Sequence, residues 1–256
     1  MTMLPPRHDL PDTLHERRSR WHPEQVYYLY VPPSYDGSVA YRLLVTVHGR
    51  SRGAERYAQQ FTSFADRHRY VVVAPLFPEA VRYQELGLGG ERADLRLLDL
   101  IDEVAGDLSL KADQFDLFGY SGGGQFAHRF LYVHPDRLRS VVIGAPGTVT
   151  LPTMQQRWPT GVRGLDVLAG VQVSLDAIRR PRVLLVVGDE DVTLDDLNQS
   201  PWAMWAGSTR LGRARSLHAS WLVAGIEHDF VEVPGAGHGL DDAIVAEACH
   251  FLAAGL

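Results

Sequence analysis

Short stretches that are apolar at nearly every position recur along this chain, and they constrain its fold more than any other feature. Residues 26–31, 43–47, 71–74, 115–118, 141–143, 183–187 and 230–233 read as strands of this kind. A strand with one wet face alternates apolar and polar residues, whereas a near-continuous apolar run is covered on both faces. Longer segments with helical spacing separate the runs: 54–68, 91–108 (Leu97, Leu98, Ile101 and Val104), the stretch bearing Phe126, Phe130 and Val133, then 209–224 and 242–253. Strands alternating with helices predict an α/β fold: a mainly parallel central sheet flanked by helices on both faces. The economical expectation is one domain over residues 1–256, with an N-terminal extension at 1–25. The interval 148–180 is too long for a simple crossover and carries Pro152, Pro159, Gly161, Gly164 and Gly170. It reads either as a small lid inserted at one end of the sheet or as an irregular loop with one short helix.

Composition removes several classes of chemistry. The net charge of −6 argues against an electrostatic footprint for nucleic acid. Lys111 is the only lysine and has no glycines before it, which excludes a phosphate-binding loop ending in Gly-Lys-Ser/Thr. One cysteine, Cys249, excludes an internal disulfide and an all-cysteine zinc site, and it reads as a small core residue of the last helix. The 11 histidines include no H-E-x-x-H or closely spaced pair. His134-Pro135-Asp136 reads as a helix end, and His128 as a partner on that helix's surface. Gly87–Arg92 fails the dinucleotide fingerprint at its last glycine. No cofactor and no metal are therefore expected. The polar, arginine-bearing start (Glu16-Arg17-Arg18-Ser19-Arg20) reads as a solvated tail rather than an anchor. No run of about 18 apolar residues occurs, so the expectation is no membrane partner and a cytoplasmic location.

Three segments carry reactive groups, each at the carboxyl end of a predicted strand. Gly119-Tyr120-Ser121-Gly122-Gly123 fits G-x-S-x-G between strand 115–118 and the following helix. Glycines let the backbone pass a sharp turn there, and Ser121 then sits at a helix N-terminus where the Gly122 N–H and the dipole favour negative charge. The bland reading, a glycine-rich loop with an incidental serine, makes no use of either flank. Strand 183–187 runs into Gly188-Asp189-Glu190-Asp191, and strand 230–233 into Pro234-Gly235-Ala236-Gly237-His238-Gly239. In an open parallel sheet the carboxyl ends share one edge, where ligands bind, so a serine, an acid and a histidine converge there. The chain order Ser, Asp, His is that of a serine nucleophile, its orienting acid and its base.

On these residues, over roughly 26–254, the chain resembles the α/β hydrolases, and within them the esterase and depolymerase-like branch. His48-Gly49-Arg50 falls where that superfamily places its oxyanion turn. The resemblance implies Ser121 as nucleophile, His238 as base and Asp191 as orienting acid, with Asp189 as the competitor for the last role. It implies the backbone N–H groups of Gly122 and Arg50 as the oxyanion hole. The expected function is cleavage of a carboxylic ester, or a related acyl bond of a small molecule, through an acyl-enzyme. Two alternatives share the machinery: an acyltransferase or perhydrolase that keeps water out of the second step, and a ligand-binding sensor with negligible turnover. Trp158, Trp202, Met204 and Trp205 are candidates to line an acyl pocket, or equally to pack beneath loops.

Overall fold

The computed structural model describes residues 14–37 and 41–256. Its strands are β1 (His15–Arg18), β2 (Val26–Tyr30), β3 (Arg42–Val47), β4 (Tyr70–Leu76), β5 (Phe115–Tyr120), β6 (Leu138–Gly144), β7 (Arg182–Gly188) and β8 (Asp229–Val233). The α-helices are α1 (Ala54–Gln59), α2 (Thr62–His68), α3 (Ala93–Leu108), α4 (Gly122–Val133), α5 (Leu165–Ala169), α6 (Leu175–Ile178), α7 (Pro201–Met204), α8 (Arg210–Val223) and α9 (Asp242–Ala253). The strands form one sheet in the order β1-β2-β4-β3-β5-β6-β7-β8. β1 pairs antiparallel with β2, and β2 with β4; every other pairing is parallel.

The continuous apolar runs behave as expected in the middle of the sheet. β3 to β7 are buried at nearly every position, whereas the edge strands β1 and β8 are half-exposed. β3 lies between β4 on one side and β5 on the other, so the order of strands reverses there. Such a switch point opens a crevice at the carboxyl ends, because the two crossovers leave in opposite directions. Here the crevice brings the 48–50 turn after β3 against the Ser121 turn after β5. Among the described residues no helix is long and apolar enough to cross a membrane.

Three expectations are corrected. The 16–20 cluster is not a solvated tail: it supplies β1, and the buried Ser19 hydroxyl donates to Glu103 Oε2 on α3 at 2.9 Å. The Arg20 amide donates to the same carboxylate, and its guanidinium pairs with Asp107 at 2.9 Å. A polar strand suits an edge, where only one flank is hydrogen-bonded and one face is wet. Residues 1–13 of the predicted extension lie outside the described residues. The helix expected over 54–68 is two helices, broken at Gln60–Phe61, with Phe61 turned into the core against Phe118 at 4.8 Å between ring centroids. His128 is fully buried rather than on the surface; its Nδ1–H donates to the Gly124 carbonyl, and its Nε2 accepts from the Thr150 amide. The interval 148–180 holds α5 and α6 among irregular turns, with its start fastened to α4: Thr148 and Thr150 hydroxyls accept from the buried Arg129 at 3.0 and 2.9 Å.

Candidate active site

Ser121 has φ 57° and ψ −112°, a positive-φ conformation that non-glycine residues rarely adopt. Its amide donates to the Gly144 carbonyl of β6 at 2.8 Å, and α4 begins at the next residue. The turn is tight enough to require glycine on both sides. A Cβ on Gly119 would stand 2.1 Å from the Gly123 carbonyl oxygen, and one on Gly123 would stand 1.9 Å from that of Val47. Backbone strain at a functional position persists only where its surroundings over-determine it. Here β5, α4 and the end of β3 do so together.

The structure brings the three predicted side chains into one chain of hydrogen bonds. His238 Nε2 lies 3.0 Å from Ser121 Oγ, and His238 Nδ1 lies 2.8 Å from Asp191 Oδ2. With the carboxylate as acceptor, Nδ1 carries the proton and Nε2 is free to accept from the serine hydroxyl. The Tyr120 ring stacks on the imidazole at 5.6 Å and an interplanar angle of 22°. Asp191 is fully buried, its carbonyl held by the Leu211 amide at 3.2 Å. The competing Asp189 points elsewhere, its Oδ1 accepting from the Gly235 amide at 2.8 Å and so tying the turn after β7 to the turn after β8.

The 48–50 turn is braced from behind. His48 is fully buried; Nδ1–H donates to the Gly49 carbonyl at 2.7 Å and Nε2 accepts from the Phe77 amide at 3.2 Å. Burial pushes its pKa down to about 4, so the ring is neutral and can serve as donor and acceptor at once. Tyr83 donates to the His48 carbonyl at 3.1 Å and packs edge-on against the ring. This bracing holds Arg50 beside the elbow: a Cβ on Gly122 would lie 3.2 Å from the Arg50 amide nitrogen. Among the described residues neither the Arg50 nor the Gly122 amide donates to a protein acceptor. Two neighbouring uncommitted N–H groups, one of them at the start of α4, are free to hydrogen-bond an anionic oxygen.

Ser121 and His238 open into a cleft of about 740 Å³ that also touches Arg50, Tyr57, Gln125 and Trp202. Of the candidate pocket aromatics, Trp202 alone lines it; Met204 and Trp205 are exposed, and Trp158 packs over the Arg129 guanidinium. From 148–180 only Thr148 reaches the cleft, and the opposite wall is 196–198 and Trp202. Cys249 is half-buried against the core with its thiol pushed up to about 11, away from the cleft lining. Sequence reasoning missed Arg210 and Arg213. Arg210 stands 3.5 Å from Asp191 Oδ1 and donates to the Asp195 carbonyl at 3.1 Å. Arg213, also buried, donates to the carbonyls of Gly147, Gly207 and Asn198. No local pattern distinguishes them from surface arginines of a helix.

No family model matches the chain, and no curated protein matches it in sequence. Solved structures do match in fold. Poly(aspartic acid) hydrolase-1 from Sphingomonas sp. KT-1 superposes with a TM-score of 0.74 at 21% identity, covering 89% of this chain and 92% of that one. A poly(3-hydroxybutyrate) depolymerase from Bordetella parapertussis gives 0.74 at 24% identity, covering 91% and 84%. An S-formylglutathione hydrolase from Agrobacterium tumefaciens gives 0.64 at 14% identity, covering 94% and 93%. The chain therefore has the α/β-hydrolase fold shared by these hydrolases, as its strand pattern and motifs led one to expect.

Proposed function

We propose that this chain is a serine hydrolase that cleaves a carboxylic ester or related acyl bond through an acyl-enzyme on Ser121. The observation that carries the reading is the unbroken relay from Ser121 Oγ through His238 to the buried Asp191, at 3.0 and 2.8 Å. Its location supports it equally: the serine is held in a strained turn, facing a cleft, beside two uncommitted amides. The hydrolase activities named for proteins of the same fold agree with it.

Each group then has a role. Ser121 Oγ attacks the acyl carbon while His238 Nε2 takes its proton, and Asp191 holds the tautomer and stabilises the imidazolium. The Arg50 and Gly122 amides receive the developing oxyanion, a contribution of about 3–4 kcal/mol per donor in comparable sites. The alcohol leaves with the proton from His238. Water, deprotonated by the same nitrogen, then attacks the acyl-enzyme and restores the serine.

The test is labelling and turnover together. A fluorophosphonate is expected to add its mass at Ser121, and a chromogenic short-chain ester to be turned over with a burst. Ser121→Ala should lose both while keeping the wild-type melting midpoint. An unlabelled wild type with no turnover would overturn the proposal. Labelling followed by acyl transfer to added alcohol, with little hydrolysis, would instead identify a transferase.

A further inference from the structure

Among its lining residues the cleft has more guanidiniums than carboxylates. Three guanidiniums, Arg50, Arg56 and Arg210, line it against two carboxylates, Glu85 and Asp196. Both carboxylates are already engaged: Glu85 takes Arg82 at 2.7 Å, and Asp196 takes the Arg50 guanidinium across the cleft mouth. Arg56 has no carboxylate partner among the described residues, its one bond being to the Leu240 carbonyl at 3.3 Å. Leu240 lies two residues beyond His238, so this cation stands beside the reacting groups. Arg210, by contrast, is 4% exposed and stands 3.5 Å from Asp191 Oδ1, so its charge is already matched. A guanidinium carries five donors and no acceptor. Arg56 is exposed and lines the cleft, so an anion bound there would give it the countercharge that the described residues do not.

On this basis, and resting on the hydrolase reading above, we infer that the ester taken by this site carries a carboxylate remote from its scissile bond, seated against Arg56. A neutral acyl chain would leave Arg56 without a countercharge. A carboxylate matches the guanidinium fork in shape and charge. The overall charge of −6 makes such a cationic cleft a local feature, not a consequence of composition.

Two matched pairs of esters test this, with kcat/KM normalised to each ester's reactivity with hydroxide. One pair places the carboxylate on the acyl side: 4-nitrophenyl hemisuccinate against 4-nitrophenyl butyrate. The other places it on the alcohol side: 4-carboxyphenyl butyrate against phenyl butyrate. In at least one pair the anionic member is expected to be preferred about tenfold, equal to about 1.4 kcal/mol. The preference should fall with added salt. Arg56→Gln should lower that ratio about tenfold, and R56K should retain part of it. Turnover of the neutral esters with no preference in either pair overturns this inference and leaves the hydrolase reading standing. So does a preference unaltered in R56Q. Absence of all turnover and of labelling at Ser121 overturns the hydrolase reading itself.

Discussion

Acid should weaken this protein through His48, and the size of the effect follows from how that side chain is held. His48 is fully buried and uses both ring nitrogens, one as donor to Gly49 and one as acceptor from Phe77. Protonation makes both nitrogens donors, so the Phe77 amide loses its acceptor and a charge appears in the core. The folded pKa is about 4, against an ordinary value of 6.5 in the unfolded chain. A depressed folded pKa contributes stability that is fully present above the unfolded value and is lost as pH falls through the folded one. Integrating the linkage relation between those values gives a loss of about 2 kcal/mol from pH 7 to pH 5, with a ceiling of about 3 kcal/mol below pH 4. With a denaturant slope of about 2–3 kcal/mol per M urea, that is a midpoint shift of nearly 1 M. His128 titrates in the same direction, its pKa held well down by burial and by the neighbouring Arg129, so the wild-type slope alone does not isolate His48. The comparison that does so is urea unfolding of wild type and His48→Asn at pH 7 and pH 5. The variant starts less stable, and its loss between the two pH values should be smaller by about 2 kcal/mol. Equal losses in the two proteins would refute the assignment of a neutral, doubly bonded His48 behind the 48–50 turn.

Two substitutions probe the scaffold directly. Gly123→Ala places a methyl 1.9 Å from the Val47 carbonyl oxygen, so β3 and α4 must separate; the expected cost is about 3 kcal/mol, at the upper end of overpacking effects, read as a lowered melting midpoint together with lost fluorophosphonate labelling. Arg213→Met leaves the carbonyls of Gly147, Gly207 and Asn198 without their donor. A loss of about 3 kcal/mol by urea unfolding is expected, and a loss under 1 kcal/mol would show that those loops find other partners.

The parts of this fold that were legible in the sequence are those set by a single physical requirement. Burial on both faces is one: it makes β3 to β7 apolar throughout, and it failed to announce β1, whose partly wet edge permits His-Glu-Arg-Arg. The reactive groups were legible because a parallel sheet gathers strand ends, so Ser121, Asp191 and His238 needed no pairwise signal. Asp191 was preferred to Asp189 only through the resemblance, since both follow β7 within three residues; in the structure Asp191 meets His238, whereas Asp189 takes the Gly235 amide. The break between α1 and α2 was hidden for a similar reason. Tyr57, Phe61 and Phe64 keep helical spacing across it, so their pattern does not mark where α1 stops.

All but one of the 25 basic residues, Lys111, are arginines, and that has a structural meaning once the loops around the cleft are in place. A loop at a sheet edge presents carbonyls without strand or helix partners, and each must find a donor or water. Arg213 serves three carbonyls from two sides of the cleft, Arg210 serves Asp195, and Arg129 serves Gln84 together with Thr148 and Thr150. All three are buried. A lysine ammonium offers three donors from one atom, whereas a guanidinium spreads five over a rigid plane and can reach separate chain segments at once. Arg56 differs from these three: it is exposed, lines the cleft and bonds only the Leu240 carbonyl, so its remaining donors are free for a bound anion.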